Sequence, residues 1–399
     1  MDHPYGNENM VVMYGTNWCS DCKRAKKFFG EQRIPYRYVN IEKDHEAMDF
    51  VIRVNEGKRV VPTIIYQDGS MLVEPSNADL ARKLGLQTKA KRSYYDVIVV
   101  GGGPAGLTAA LYMSREGIET LVIEKGALGG QAGMSQRIDN FPGFDEGITG
   151  EEFSARLARQ VERFGVEVLK AQEVTAVAPE ERDLCVMTGD GTSYNAGALL
   201  LATGARYREM NVPGEDDLIG VNIHFCATCD GAFYRDKKVL VIGGGNSGFE
   251  EGLFLTKFAS QVDIVEFLPE VKASKVLQDK VASRSDMKVF TNHAVKEFQG
   301  ETKLEGVIVE DRATGELKTW QYDGVFIFIG LSPNSDLIKD LVEVDGYGFV
   351  VTDRTLMTTL PGIFAAGDVR GGATKQAVAA AGEGATVALM IREYLKDRS

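Results

Sequence analysis

The sequence has no apolar run of the length a bilayer crossing demands, about 20 consecutive residues. Nor does it have an excess of basic residues: 45 Lys and Arg stand against 57 Asp and Glu, a net charge of −12. A chain of that sign repels phosphate backbones and anionic lipid heads, so neither nucleic acid nor a membrane is expected as a partner. The opening residues MDHPYGNENM carry neither a basic stretch nor an apolar one, so no secretory signal is expected and the expected location is the cytoplasm. Cysteine is scarce, with five residues in 399. A reducing compartment disfavours structural disulfides, so paired thiols there point to redox chemistry or to a metal.

What is present is the composition of a soluble globular protein, 44% hydrophobic and 26% charged, too long for one core and sufficient for two to four domains. Two segments share one pattern. YYDVIVVGGGPAGLTAALYMSR reads as a buried strand, a glycine-rich turn and a helix, and KKVLVIGGGNSGFEEGLFLTK repeats it further along. The glycines fall at Gly101, Gly103 and Gly106, then at Gly243, Gly245 and Gly248. The first glycine of each set permits the tight turn, the second lets backbone approach a pyrophosphate, and the third lets helix and strand pack closely. The phosphates of a dinucleotide then rest on the helix N-terminus, where free N–H groups and the helix dipole favour negative charge. Each unit ends its next strand on an acid, Glu124 in ETLVIEK and Glu266 in VDIVEF, placed to accept hydrogen bonds from an adenosine ribose. Two dinucleotide sites are therefore expected.

Four of the five cysteines form two C-x-x-C pairs. Cys226 and Cys229, in CATCD just before the second fingerprint, have only His224 nearby as a further ligand, which does not close a tetrahedral zinc site, so no metal is expected. A dithiol that opens and closes is the better reading, with Asp230 as proton donor and acceptor or as a helix N-cap. Cys19 and Cys22, in WCSDC, open a predicted helix after a strand. The helix terminus and Lys23, Arg24 and Lys26 favour a thiolate at Cys19, while Asp21 works against it. Cys19 is expected to be the more exposed, attacking thiol and Cys22 the resolving one. Val61-Pro62 is a candidate cis peptide beside them. Cys185, alone in RDLCVMTG, reads as a small buried hydrophobe.

Residues 94–399 resemble the low-molecular-weight thioredoxin reductases over their whole length, through GGGPAG, GGQ (129–131), IDNFPGF, ATGA (202–205), CATCDGAFY, GGGNSG and FAAGDVRGGATKQA. The resemblance implies an α/β architecture with two Rossmann-like domains: an FAD domain in two pieces, 94–207 and 327–399, around an NAD(P)H domain at 208–326 that carries the redox disulfide. It also implies that FAD is held by Gln131, Asn140, Asp368, Gln376 and Ala377, along with Pro104, Ala105, Lys125, Gly130, Thr203, Gly204, Gly367 and Lys375 in the matching stretches. Cys229 is then the cysteine near the flavin, Cys226 the one that attacks an outgoing disulfide, and the assembly a homodimer. Residues 10–85 resemble the glutaredoxins, through WCSDC, VVPT and EPSNADL, which implies a thioredoxin-like fold over 1–86. The glutathione-binding Gly-Gly turn is replaced by EPSN around Pro75, which counts against glutathione. Polar, basic QTKAKRS (87–93) reads as a linker.

The second fingerprint departs from NADPH-using thioredoxin reductases. Their arginine-rich stretch is replaced by EFLPEVKAS (266–274), where Glu266 would repel a 2′-phosphate and suit a free 2′-hydroxyl. That stretch is similar to the alkyl hydroperoxide reductase flavoprotein, a family that prefers NADH. NADH is therefore the expected donor, with Asn246, Ser247, Phe267 and Lys272 at its site; Lys272 and Lys275 keep NADPH as the alternative. The expected path runs from NADH through FAD to Cys226/Cys229, on to Cys19/Cys22 and out to an external disulfide: a thioredoxin, a peroxiredoxin or a low-molecular-weight disulfide. The expected hinges for the domain rotation this needs are 206–209 and 325–329. A peroxide-system component, an NADH oxidase and a flavin-linked redox sensor are the rival readings.

Overall fold

The computed structural model describes residues 10–135, 137–300 and 302–397, with the side chains of Thr228 and Cys229 outside that description. Its first unit is a four-stranded sheet in the order Tyr36–Asn40, Val11–Gly15, Thr63–Ile65, Met71–Val73. The central strand VVMYG is buried along its whole length because alternate residues face two layers. Val11 and Met13 pack with Phe28 and Phe29 of the helix Ser20–Glu31, while Val12 and Tyr14 pack with Phe50 of His45–Val54. EPSN acquires a structural role here: Ser76 and Asp79 form a reciprocal capping box on the helix Asn77–Lys83. The Val61-Pro62 bond is cis.

The second unit centres on Tyr94–Val100, flanked in parallel by Thr120–Ile123 and Ser193–Leu201. Ile363–Ala365 joins the same sheet, parallel to Ser193–Leu201, so the end of the chain returns to a sheet begun near residue 94. The long helix Ala377–Lys396 completes that return. It crosses the fingerprint helix Pro104–Arg115 so closely that a Cβ on Gly384 would lie 2.3 Å from the Ala105 carbonyl oxygen. Cys185 sits half-buried and free in the antiparallel strand Leu184–Thr188, not fully buried as its sequence context suggested.

The third unit is an all-parallel sheet in the order Ile223–His224, Gly324–Ile327, Lys238–Ile242, Gln261–Val265, Met287–Phe290, beside an antiparallel sheet of His293–Gln299, Gly306–Asp311 and Glu316–Trp320. Together the three units form the α/β architecture expected. The chain enters the third unit through Ala205–Tyr207 and leaves it through Leu331–Pro333, and these two segments pair antiparallel. Residues 325–327 of the second expected hinge instead lie inside a buried strand, where Ile327 pairs with Ile242. The apolar run GVFIFIG gives no sign of where that strand stops. Among the described residues no helix is long and apolar enough to cross a membrane.

The linker is not a free tether. Glu167 accepts hydrogen bonds from Gln87 Nε2 (2.6 Å), the Lys91 amide (2.9 Å) and the Tyr95 hydroxyl (2.6 Å). The Lys170 amide donates to the Gln87 carbonyl at 2.8 Å, and the Ala90 amide to the Tyr194 hydroxyl at 3.2 Å. Polar residues with no apolar periodicity thus lie along the body because one carboxylate collects their donors. Replacing Glu167 by Ala removes three acceptor contacts at about 1 kcal/mol each. Limited proteolysis of Glu167→Ala is expected to cut within 87–93 at least about tenfold faster than in the unaltered chain.

Candidate active site

The first fingerprint is shaped by contact distances that only glycine tolerates. Gly101 has φ 111°, and a Cβ there would lie 2.3 Å from the Ala202 carbonyl oxygen. A Cβ on Gly106 would lie 2.0 Å from the Gly101 carbonyl oxygen, so the helix Pro104–Arg115 rests directly on the turn. Gly103, at its N-cap, has no side chain to occupy the first amides, which therefore remain open to an anion. The Glu124 carboxylate is fixed by the amides of Gly102 (2.6 Å) and Gly126 (2.7 Å). The second helix start, at Gln376, also has no side-chain cap among the described residues; the Gln376 side-chain oxygen accepts instead from Asn140 Nδ2 at 3.0 Å.

Both helix starts open on a cavity of about 620 Å³, within the range of ligand pockets. Every residue expected at the first cofactor lines it except Gly101 and Gly106, which form the turn behind it. Lys375 does so with its ammonium turned to the carbonyls of Asp368 (2.6 Å) and Arg370 (3.3 Å) and stacked on Phe349. Burial lowers its pKa and raises that of the Asp368 carboxyl. Asn334 lines the same cavity, and sequence reading missed it. Its side chain donates to the Thr203 carbonyl (2.8 Å), its own carbonyl accepts from the Thr203 hydroxyl (2.7 Å), and it thereby clasps the two crossings between domains.

Cys226 and Asp230 line this cavity too. Cys226 is disulfide-bonded; the side chain of Cys229 lies outside the described residues. His224, weighed from sequence only as a metal ligand, is buried in a different arrangement. Its Nδ1 lies 3.4 Å from Asp230 Oδ2 and its Nε2 2.7 Å from the Tyr234 hydroxyl, a chain of polar contacts behind the cysteine. Burial pushes the Tyr234 phenol up to about 12. Tyr207, on the entering crossing, stacks on Phe225 at 5.1 Å and is likewise pushed up to about 12 by burial, so both phenols stay protonated. Tyr207 carries no sequence signal, while Tyr234 ends the CATCDGAFY stretch, though only the fold brings its partner His224 near.

The second fingerprint repeats the geometry elsewhere. A Cβ on Gly248 would lie 1.9 Å from the Gly243 carbonyl oxygen, and Gly245 caps the helix Asn246–Leu255 with no side chain. Glu266 is fixed by the amides of Gly244 (2.5 Å) and Leu268 (2.8 Å), as Glu124 is in the first unit. Asn246 accepts from the Ser274 amide at 2.8 Å, and Ser247 is exposed in the first turn of the helix. Lys272 reaches the turn through its amide, which donates to the Gly244 carbonyl at 2.9 Å, while Lys275 pairs with Asp279 at 2.8 Å. Sequence reading missed Arg312, whose guanidinium covers the exposed Phe267 ring at 3.8 Å and donates to the Phe267 carbonyl at 2.7 Å. Among the described residues, none of this second set lines the first cavity.

Cys19 caps the thiol helix Ser20–Glu31, its sulfur accepting the Cys22 amide at 3.0 Å and lying 3.6 Å from the Val61 carbonyl oxygen. Cys19 is 7% exposed and Cys22 not at all. Burial first, then the hydrogen bond to Cys19, pushes the Cys22 thiol up to about 12. Of the cations nearby, Arg24 is taken up by Asp21 and the Pro75 carbonyl, and Lys26 lies over the Tyr38 ring at 3.2 Å. Trp18, at 67% exposure, stands beside the thiols. Neither Cys19 nor Cys22 lines the cavity that Cys226 enters.

Comparison with known proteins gives this geometry its context. Residues 95–384 match the family described as pyridine nucleotide-disulphide oxidoreductase, and residues 11–71 match glutaredoxin. The chain is 40% identical over 311 residues to a bifunctional thioredoxin reductase/thioredoxin of Mycobacterium leprae, covering 78% of this chain and 68% of that protein. It is 35% identical over 368 residues to an alkyl hydroperoxide reductase component of Staphylococcus aureus, covering 90% of this chain and 71% of that one. The solved thioredoxin reductase of Streptococcus pyogenes superposes with a TM-score of 0.72 at 38% identity, over 76% of this chain and 99% of that one. The family implies FAD and a nicotinamide cofactor. The residues present fit both: each fingerprint offers an uncapped helix start, a turn closed to any Cβ, and a carboxylate fixed by two amides. The chain belongs to the pyridine nucleotide-disulphide oxidoreductase family, as a thioredoxin-reductase-like flavoprotein fused to an N-terminal glutaredoxin domain.

Proposed function

We propose that this protein is an NADH-dependent disulfide reductase that reduces its own Cys19/Cys22 pair and, through it, an external disulfide. The observation that carries the reading is that Cys226 and Asp230 share one cavity with the first fingerprint while a second dithiol opens a helix in the fused domain. The two helix starts, Glu124 and the residues of 129–131 and 367–377 would hold FAD, which would supply the two-electron link between a nicotinamide and the inner pair. Asp230, backed by His224 and Tyr234, holds the proton that the opening thiols exchange. The thiolate of Cys226 attacks the outer disulfide, forms a mixed disulfide with one sulfur and releases the other, and Cys229 resolves it. If the inner pair has a thioredoxin-like potential and the outer a glutaredoxin-like one, the step runs downhill by about 40–70 mV, roughly 2–3 kcal/mol.

Rotation of the third unit about Ala205–Tyr207 and Leu331–Pro333 would carry Cys226 from the cavity of the first fingerprint to its acceptor. Glu266 supports NADH, because a fixed carboxylate opposes a 2′-phosphate and accepts from a 2′-hydroxyl. Arg312 beside Phe267 supports the NADPH alternative. For the final acceptor, a thioredoxin-like protein and a peroxiredoxin are the two candidates. The second is favoured by the extent of the hydroperoxide reductase match, which spans 90% of this chain. The reading extends to a cytoplasmic homodimer, the location suited to redox-active thiol pairs.

Three measurements test it. In anaerobic stopped flow, NADH is expected to bleach the flavin at least about tenfold faster than NADPH, a difference near 1.4 kcal/mol; faster bleaching with NADPH overturns the reading of Glu266. In anaerobic titration the oxidised protein is expected to take up about three two-electron equivalents, Cys19→Ser about two and Cys226→Ser about one. Full reduction of Cys19/Cys22 in Cys226→Ser would sink the proposed order. The raised Cys22 pKa keeps that thiol protonated at pH 8. Brief iodoacetamide treatment of the reduced protein at that pH is therefore expected to label Cys19 and spare Cys22, with equal labelling by mass mapping as the contrary result.

A further inference from the structure

Arg33 belongs to the N-terminal domain yet lines the cavity of the first fingerprint. It follows the thiol helix in left-handed backbone, φ 51°. Nη1 donates to the Leu128 carbonyl at 3.1 Å and Nη2 to the Gly130 carbonyl at 2.6 Å. Its neighbours add to the seat: Gln32 Nε2 donates to the Lys125 carbonyl at 2.7 Å, and the Ala127 amide donates to the Glu31 carbonyl at 2.8 Å. The body is shaped to receive it, since a Cβ on Gly133 would lie 2.1 Å from Arg33 Nη1.

The position is chemically specific. The loop that Arg33 grips passes over the fingerprint turn, where a Cβ on Gly130 would lie 3.2 Å from the Gly103 Cα. Gly103 is the cap of the helix start reserved for a diphosphate, and Glu124 is the acid reserved for a ribose. Burial lowers the guanidinium's pKa, while Glu124 and Glu151 draw it back up, which places the cation within reach of both carboxylates' fields. A planar guanidinium has five N–H donors, and two of Arg33's hold the loop. Its charge beside that turn is the complement of a phosphate or ribose oxygen.

We propose that Arg33 is a residue of the FAD site, binding the diphosphate–ribose portion, and that the glutaredoxin domain thereby forms one wall of the cofactor pocket. The proposal rests on the flavin reading above. Its consequence is linkage: whatever factor the seated domain adds to FAD affinity, bound FAD adds to the seating of the domain.

The test uses the full-length protein stripped of flavin and titrated with FAD, with quenching of flavin fluorescence as the readout. Arg33→Ala is expected to bind FAD about tenfold more weakly, and Arg33→Lys to fall between, since it keeps charge and loses the planar fork. A second readout needs no variant: FAD is expected to slow proteolysis within 87–93 in the unaltered protein, and that protection should vanish in Arg33→Ala. Equal or tighter FAD binding by Arg33→Ala overturns this inference alone, as does a linker whose cleavage ignores FAD. An unaltered apoprotein that takes up no FAD overturns the flavin reading and this inference with it.

Discussion

A Cβ on Gly106 would lie 2.0 Å from the Gly101 carbonyl oxygen, and one on Gly248 1.9 Å from that of Gly243. Each helix start is thus pressed onto the end of its strand with no room for a single methyl group. That contact fixes where the first amides of the helix point, and it leaves them bare because a glycine caps them. The acids Glu124 and Glu266 follow from it as well. Each is held by the amide of the middle glycine of its turn, so the carboxylate proposed to meet a ribose is located by the same backbone proposed to meet the phosphates. Two copies of one steric constraint shape both fingerprints.

The rest of the molecule connects these two sites without merging them. The first cavity takes residues from the first fingerprint, the returning helix Ala377–Lys396 and the loop of Cys226, while the second fingerprint's residues stay outside it. The connection runs through paired segments at 205–207 and 331–333 and through Asn334, which bonds to Thr203 by both its side chain and its backbone. A link of two short strands resists stretching far more than bending. Such a link suits the rotation proposed for the third unit.

Much of this was legible in the chain because the constraints act on neighbouring residues. The glycine spacing, the strand-end acids and both C-x-x-C pairs are local patterns, and each has a steric or electrostatic reason to be written in residue types. What was not legible acts through backbone or across long separations. Arg33 grips two carbonyl oxygens, which every residue possesses, so nothing in the receiving sequence announces it. Glu167 gathers the linker's donors from about 80 residues away, and Arg312 covers Phe267 from a separate sheet. Asn334, Tyr207 and Tyr234 are ordinary residue types whose partners only the fold supplies. That residues 325–327 lie inside a strand was hard to read for a related reason: an apolar run marks a strand without marking its last paired residue.

The thiol helix joins these themes. Its N-terminus carries Cys19, and its C-terminal end leads into the seat on the loop of residues 125–130, separated by 12 residues or about 18 Å of helix rise. A rigid rod held at one end presents its other end in a fixed place, so the seat aims the outer dithiol as well as anchoring the domain. The cost of that aim is bounded. Four hydrogen bonds at about 1 kcal/mol each would leave the domain unseated roughly one part in a thousand of the time. If the thiols met only in the unseated state, an ordinary turnover of about 10 per second would then require thiol exchange near 10⁴ per second. Exchange in the seated state needs no such rate, provided the third unit swings Cys226 out to meet a stationary Cys19. The moving part is then the unit on the two-strand link, and the domain seated on that loop is the fixed receiver.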